Sequence, residues 1–439
     1  MTNVEQAFLS LLRAGIRNEK PDDPELSREE WETLLRRAEE HKLLPLVFDV
    51  AYALRSFRFA LGAHSARPLE VSASPAGHSE RSEAEPKNPS SQPPDWRTLV
   101  FEQVGRQAIQ ENEFLNLILA LRERGLEPLV LKGPICRSLY PKPLLRPSLD
   151  DDLLVQPEQA PAFHEALLEL GLTADNPKLD PVAAWELSYH KPQSPLFVEL
   201  HKPLFEPDSP VFSGFNDYFS DAASTAVTAR IQDVDLRVPA PQLHLLFLIL
   251  HAFKHFLFSG FGLRIVADIC LFSRAFAEKI DFAAIREICE ALRCDQFTAA
   301  VYRIGEKHLA IPAPTVFASR DVDETALLED VLDAGLHGDH IDRLHSANIT
   351  LRTVSEDRQG SVTRSGGLRA SLFPARDRLV GRYPYLERMP WLLPAAWASR
   401  LMGYLKERHA NGTSDPAASL RIGKDRVRLL EIYGVIDTQ

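Results

Sequence analysis

Only four of the 439 residues are cysteine (Cys136, Cys270, Cys289 and Cys294), and no two form a C-x-x-C pair. A disulfide framework is therefore not expected, since a chain long enough for two or three domains does not need one. The thiols read as reduced and mostly buried, which leads to the expectation of a cytoplasmic protein. An excess of positive charge is also missing: 50 Lys+Arg stand against 61 Asp+Glu, a net charge of -11. Such a chain is a poor non-specific binder of nucleic acid or anionic membranes, so neither is expected as a partner. No basic segment followed by a long apolar run opens the sequence, so no signal peptide is expected. The most apolar stretch, Leu243 to Phe258, carries His244, His251, Lys254 and His255. It reads as too short and too polar for a membrane span, and as a buried core helix instead. No internal repeat is found at a fixed period.

What is present is an ordinary globular composition, 45% hydrophobic and 25% charged, able to form a sizeable core. Residues 1–61 read as a helical region, with Ser27 and Glu30 forming a capping-box pattern ahead of Trp31, Leu34 and Leu35. Residues 62–97 are rich in Ser, Pro, Ala and Glu and bury too little to offset their ordering entropy, so a disordered insertion is expected. Residues 98–238 then alternate elements. A long helix stops at Gly125, and EPLVLKG is a short buried strand. PICRSLY is a short helix with Pro134 at its start, and DDDLLVQ is a second strand. PEQAPAFHEALLELG is a helix closed by Gly171, and LFVELHKPLF is a third strand. Residues 239–345 read as a helical domain, 346–374 as a flexible linker, and 375–439 as a C-terminal helical region.

The chemistry concentrates at the second strand. Side chains alternate along a strand, so Asp150 and Asp152 share one face and Asp151 takes the other. Two carboxylates roughly 6–7 Å apart on one face can share hard divalent cations. By spacing alone the same residues also read as an acidic turn exposed at a strand end. Glu199 is a charge inside an apolar strand, on the face it shares with Phe197 and His201, while Val198 and Leu200 face the other way. If that strand lies beside the Asp strand, Glu199 completes a three-carboxylate cluster able to hold metal and act as a general base. His201 reads as a hydrogen-bonded supporting histidine. Gly133 at a strand-to-helix turn lets backbone N–H groups approach a phosphate, with Lys132 adding positive charge and Arg146 a planar fork. His251 and His255, four apart on one helix face, have no third ligand at zinc-site spacing and read as core or interface histidines.

These residues resemble a known pattern. LVLKGPICRSLYPKPLLRPSLDDDLLV is similar to the signature of the uncharacterised nucleotidyltransferases of bacteria, within the DNA polymerase β-like superfamily. The matching positions are Lys132, Gly133, Tyr140, Pro141, Arg146, Pro147, Asp150, Asp152, Leu153, Leu154 and Val155. Glu199, Leu200 and His201 match a later strand of the family, and His251, His255, Arg264 and Asp268 match its helical half. Lys132-Gly133-Pro134 stands where the superfamily has a Gly-Ser turn, Asp151 where an apolar residue is usual, and Lys202-Pro203 where Trp-Arg is common.

The resemblance implies an α+β fold, a polymerase β-like palm with a small mixed sheet and flanking helices, followed by a mainly helical second domain. It implies a Mg2+-dependent enzyme that moves a nucleoside monophosphate from an NTP to an acceptor hydroxyl on a small molecule, sugar or protein, with release of pyrophosphate. Asp150, Asp152 and Glu199 would hold two Mg2+ ions, and Lys132, Gly133, Arg146 and His201 would support the nucleotide. Two other classes keep the same residues: a non-catalytic nucleotide sensor or scaffold, and a metal-dependent phosphotransferase or phosphohydrolase.

Overall fold

The computed structural model describes residues 1–60, 95–258, 260–319, 321–337, 341–358, 383, 385, 389–399 and 416–437. Most of the expected disordered insertion, residues 62–94, lies outside them. The helical chain resumes earlier than its sequence suggests. Helix α5 spans Trp96–Glu123, and the Asp95 carboxylate caps it by accepting from the Arg97 and Thr98 N–H groups. Asp95 falls within the expected insertion by composition, yet it serves as an N-cap. Trp96 is already buried.

Ahead of it come α1 (Asn3–Arg17), α2 (Arg28–Glu40), α3 (Leu44–Ala51) and α4 (Arg55–Ala60). The Ser27–Glu30 capping box forms at the start of α2. After α5, Gly125 takes a positive φ and turns the chain into β1 (Leu129–Leu131), whose three residues are all buried. Then follow α6 (Gly133–Ser138), β2 (Asp151–Leu154), α7 (Ala160–Glu169), β3 (Thr173–Ala174), β4 (Glu186–His190) and β5 (Phe197–His201). These strands form one sheet in the order β1-β2-β5-β4-β3. β2 and β5 run parallel, and the other neighbours are antiparallel. Two more strands, β6 (Val227–Ile231) and β7 (Val234–Val238), form a separate hairpin packed on β1.

Three strands are legible in the sequence; β3, β4 and the hairpin are not. β3 has two residues, and β6 exposes most of its side chains, so neither has an apolar alternation dense enough to mark it.

The helical half holds α8 (Pro241–Phe258), α9 (Leu263–Ala275), α10 (Phe282–Ala291), α11 (Asp295–Leu309), α12 (Thr315–Ala318), α13 (Thr325–His337) and α14 (Ile341–Arg358). Two sequence expectations change here. Residues 346–358, expected as flexible linker, belong to α14, which buries Ala347, Thr350 and Val354. It packs on α8 and on the C-terminal helix Pro416–Ile432. Its polar sequence hides this, because its stability comes from packing rather than from an apolar stripe of its own. The remaining linker residues, 359–374, lie outside the described residues.

The argument from length and polarity against α8 as a membrane span also fails. Its 18 residues have a mean hydropathy of 1.2, enough by length and composition to cross a bilayer. In the fold, 61% of that window is buried inside the protein. The N-terminal helices are not set apart either: α1 packs on α11 and α2 on α13, within one continuous core. All four cysteines are free and buried.

Candidate active site

β2 presents the acidic run as strand alternation requires. Asp151 turns inward and is fully buried, with Gln110 Nε2 donating to its Oδ2 at 2.9 Å. Burial pushes its pKa up to about 6 against the pull of Arg137 and Gln110. Its Oδ1 lies 2.5 Å from where a Cβ would stand on Gly133, whose φ is +21. Only glycine fits that turn.

Asp152 points to the opposite face and is 2% exposed. The β2–β5 register sets Asp152 directly beside Glu199, across a parallel pair. Asp150, one residue before the strand, keeps a third of its side chain in solvent and lines the same cleft. The three carboxylates expected at the site therefore share one side of the sheet.

Two cations answer them. Lys132 Nζ lies 2.7 Å from Asp152 Oδ2 and 3.7 Å from Asp150 Oδ2. Burial opposes its charge, but Asp152 and Asp150 outweigh it and hold the pKa above the usual lysine value. Lys132 takes a left-handed backbone conformation (φ 41), and its N–H donates to His244 Nε2 at 3.2 Å. His201 Nε2 lies 3.1 Å from Asp152 Oδ1 and 3.6 Å from Glu199 Oε2, and its Nδ1 lies 3.4 Å from Glu186 Oε2. Burial would lower its pKa, yet the bonds to Asp152 and Glu199 carry it up to about 9. Asp152, penalised by burial, is held well below the usual carboxylate range by Lys132 and His201.

Among the described residues, Asp152, Glu199 and His201 form the one cluster with metal-ligating spacing, their ligand atoms lying within 4.8 Å of one another. The donor set suits a hard divalent cation: carboxylate oxygens dominate, and an ammonium already sits against two of them as a stand-in charge. Glu186 flanks this cluster, its Oε2 3.4 Å from His201 Nδ1. It occupies β4 opposite His201, and with β4 unread its charge carried no address.

Arg146 reaches across to the helical half. Its Nε and Nη2 both donate to Asp268 of α9, and the Tyr140 hydroxyl donates to the same carboxylate at 2.8 Å. Two nitrogens of its fork thus tie the Asp150 loop to the helical half, and Nη1 has no hydrogen-bond partner among the described residues. His251 and His255 are half-buried with their Nε2 atoms 3.0 Å apart, and they stand outside the metal-ligating cluster. Burial pushes both pKa values down, that of His255 to about 4.

The site opens into a cleft of about 980 Å³ between sheet and helical half. Lys132, Asp150 and Glu199 line one side, and His251, Arg264 and Asp268 the other. It is large enough for a nucleotide.

No curated protein and no solved structure matches the chain. A family model described as an uncharacterised nucleotidyltransferase matches residues 27–309. That match takes in more than half of the sequence, every strand of both sheets and the whole carboxylate–lysine–histidine site. The chain therefore belongs to this uncharacterised nucleotidyltransferase family.

Proposed function

We propose that the protein transfers a nucleoside monophosphate from an NTP to an acceptor hydroxyl, in a polymerase β-like palm that uses two Mg2+ ions. One observation carries the reading: the parallel β2–β5 pairing puts Glu199 beside Asp152, with Asp150 on the same side of the sheet. The bound cations would neutralise phosphate charge and stabilise the attacking and leaving oxygens. Asp150, Asp152 and Glu199 would hold them. His201 fixes the Asp152 carboxylate through its 3.1 Å contact. Lys132, on the Asp150 side of Asp152, is placed to follow negative charge as the phosphates enter.

Glu199 accepts the acceptor's proton as its oxygen attacks the α-phosphorus in line. The bond from that phosphorus to the oxygen bridging it to the β-phosphorus breaks, and pyrophosphate leaves with the electron pair.

The test uses NTPs labelled at the α- or γ-phosphate, with Mg2+ and cell extract as a source of acceptors, on the wild type, Asp150→Ala and Asp152→Ala. The reading expects transfer of the α-label and release of pyrophosphate by the wild type alone. Transfer surviving in both variants overturns the site. Nucleotide binding without pyrophosphate release would identify a sensor, and release of orthophosphate a phosphohydrolase.

A further inference from the structure

The Lys132-Gly133-Pro134 turn is a poor phosphate cradle, because the protein already fills it. Lys132 Nζ is engaged by Asp152, and the space over Gly133 is taken by Asp151 Oδ1. Helix α6, which begins there, has six residues, so its N-terminus carries little dipole.

The facing wall is built differently. Helix α9 has 13 residues, and its N-cap, Gly262, makes no side-chain capping bond. The Leu263 N–H of its first turn donates to His41 Nδ1. Gly262, Arg264 and Ile265 bring that turn to the cleft. Arg264 donates through Nη1 to the Pro147 carbonyl at 2.5 Å and makes no ion pair among the described residues. Burial and the neighbouring Arg146 push its pKa down against the pull of Asp268 and Asp150.

Arg146 is 4% exposed and lines the same cleft. Asp268 takes its Nε and Nη2, and its Nη1 has no hydrogen-bond partner among the described residues. Of the two guanidinium groups beside this helix N-terminus, Arg146 is paired with Asp268, and Arg264 with no carboxylate among the described residues. The wall opposite the acidic cluster is left net positive, with donors in the fork geometry that suits phosphate.

We propose that the N-terminal turn of α9, together with Arg264 and Arg146, holds the β- and γ-phosphates of the nucleotide and then the departing pyrophosphate. The proposal rests on the nucleotidyl-transfer reading above. It moves the grip on the triphosphate tail from the strand–helix turn of the sheet to the helical half, leaving the α-phosphorus to the carboxylates.

The test is calorimetric titration of the full-length protein with pyrophosphate, an NTP and the matching nucleoside monophosphate, plus Mn2+ alone as a probe of the carboxylates. Arg264→Gln is expected to weaken pyrophosphate and NTP binding by about tenfold or more, the size of a lost charge-assisted contact. Monophosphate and Mn2+ affinities are expected to stay within about twofold.

Ile265→Glu provides a second variant: an acidic group at the third helical position favours the helix, which offsets the core contact that the half-buried Ile265 gives up, and the melting temperature checks the balance. It should repel pyrophosphate while leaving the melting temperature near that of the wild type. Pyrophosphate binding unchanged in both variants, or absent in the wild type, overturns the proposal. An Arg264→Gln effect on the monophosphate as large as on the NTP also overturns it, because the arginine would then serve the α-phosphate or an acceptor's phosphate. If pyrophosphate binding follows Arg264 but no nucleotidyl transfer is ever found, the anion site stands and the transferase reading falls.

Discussion

Asp152 and Glu199 are register partners across the parallel β2–β5 pair, and His201 lies within 3.1 Å of the first and 3.6 Å of the second. Neighbouring parallel strands bring their same-face side chains together, so two acids distant in sequence become one cation site. Glu199→Gln keeps the shape and removes one charge. Label transfer from an NTP should fall at least about a hundredfold, in line with the several kcal/mol of charge stabilisation at stake. Mn2+ titration should show weaker binding in the same variant.

Lys132 and Asp152 form a buried ion pair at 2.7 Å, with both side chains largely withdrawn from water. Removing one member of such a pair leaves an unneutralised charge, at a cost of about 3–5 kcal/mol. Lys132→Met should therefore lower the melting temperature in EDTA. A divalent cation can replace the lost ammonium, so millimolar Mg2+ should restore more stability to Lys132→Met than to the wild type. Equal Mg2+ effects on the two proteins would contradict this.

Asp151 predicts a pH dependence of opposite sign to that of a paired carboxylate. Its folded pKa, about 6, lies above the ordinary 3.8 because of burial. The folded state binds the proton more tightly, so stability is lost as pH rises from about 4 to 6. The loss is on the order of 3 kcal/mol at most. Asp151→Asn should raise stability in urea titrations at pH 8 and change it little at pH 4. A variant destabilised at pH 8 would show that Arg137 and Gln110 outweigh the cost of burial.

His41 and His244 set the acid limb. Each is buried and uses an unprotonated ring nitrogen to accept a backbone N–H, from Leu263 and Lys132 respectively, both at 3.2 Å. Burial lowers their pKa values to about 4 and about 3. The unfolded chain binds these protons from pH 6.5 downward while the folded one does not, so stability falls as pH drops through that window. The slope is up to about 1.4 kcal/mol per pH unit for each histidine. His244→Gln should flatten the stability profile between pH 6.5 and 5 relative to the wild type.

By itself, the sequence determined what depends on local backbone geometry. Strand alternation separates Asp151 from Asp150 and Asp152 and sets Glu199 with His201, because side chains on a strand repeat every two residues whatever surrounds them. The Ser27–Glu30 box and the Gly125 stop are equally local. Tertiary structure alone decided which elements meet. It placed β5 beside β2, and it inserted β4 with Glu186 opposite His201. It also gave Arg146 to Asp268, 122 residues away along the chain. Such pairings are chosen by the balance of loop closure against core burial over the whole chain, and no local window contains that balance. The same holds for α14, a polar segment ordered by the helices it packs against. The acidic strand was thus readable as chemistry from the start, while the cations that answer it, Lys132 on one wall and Arg264 on the other, acquired their places only in the fold.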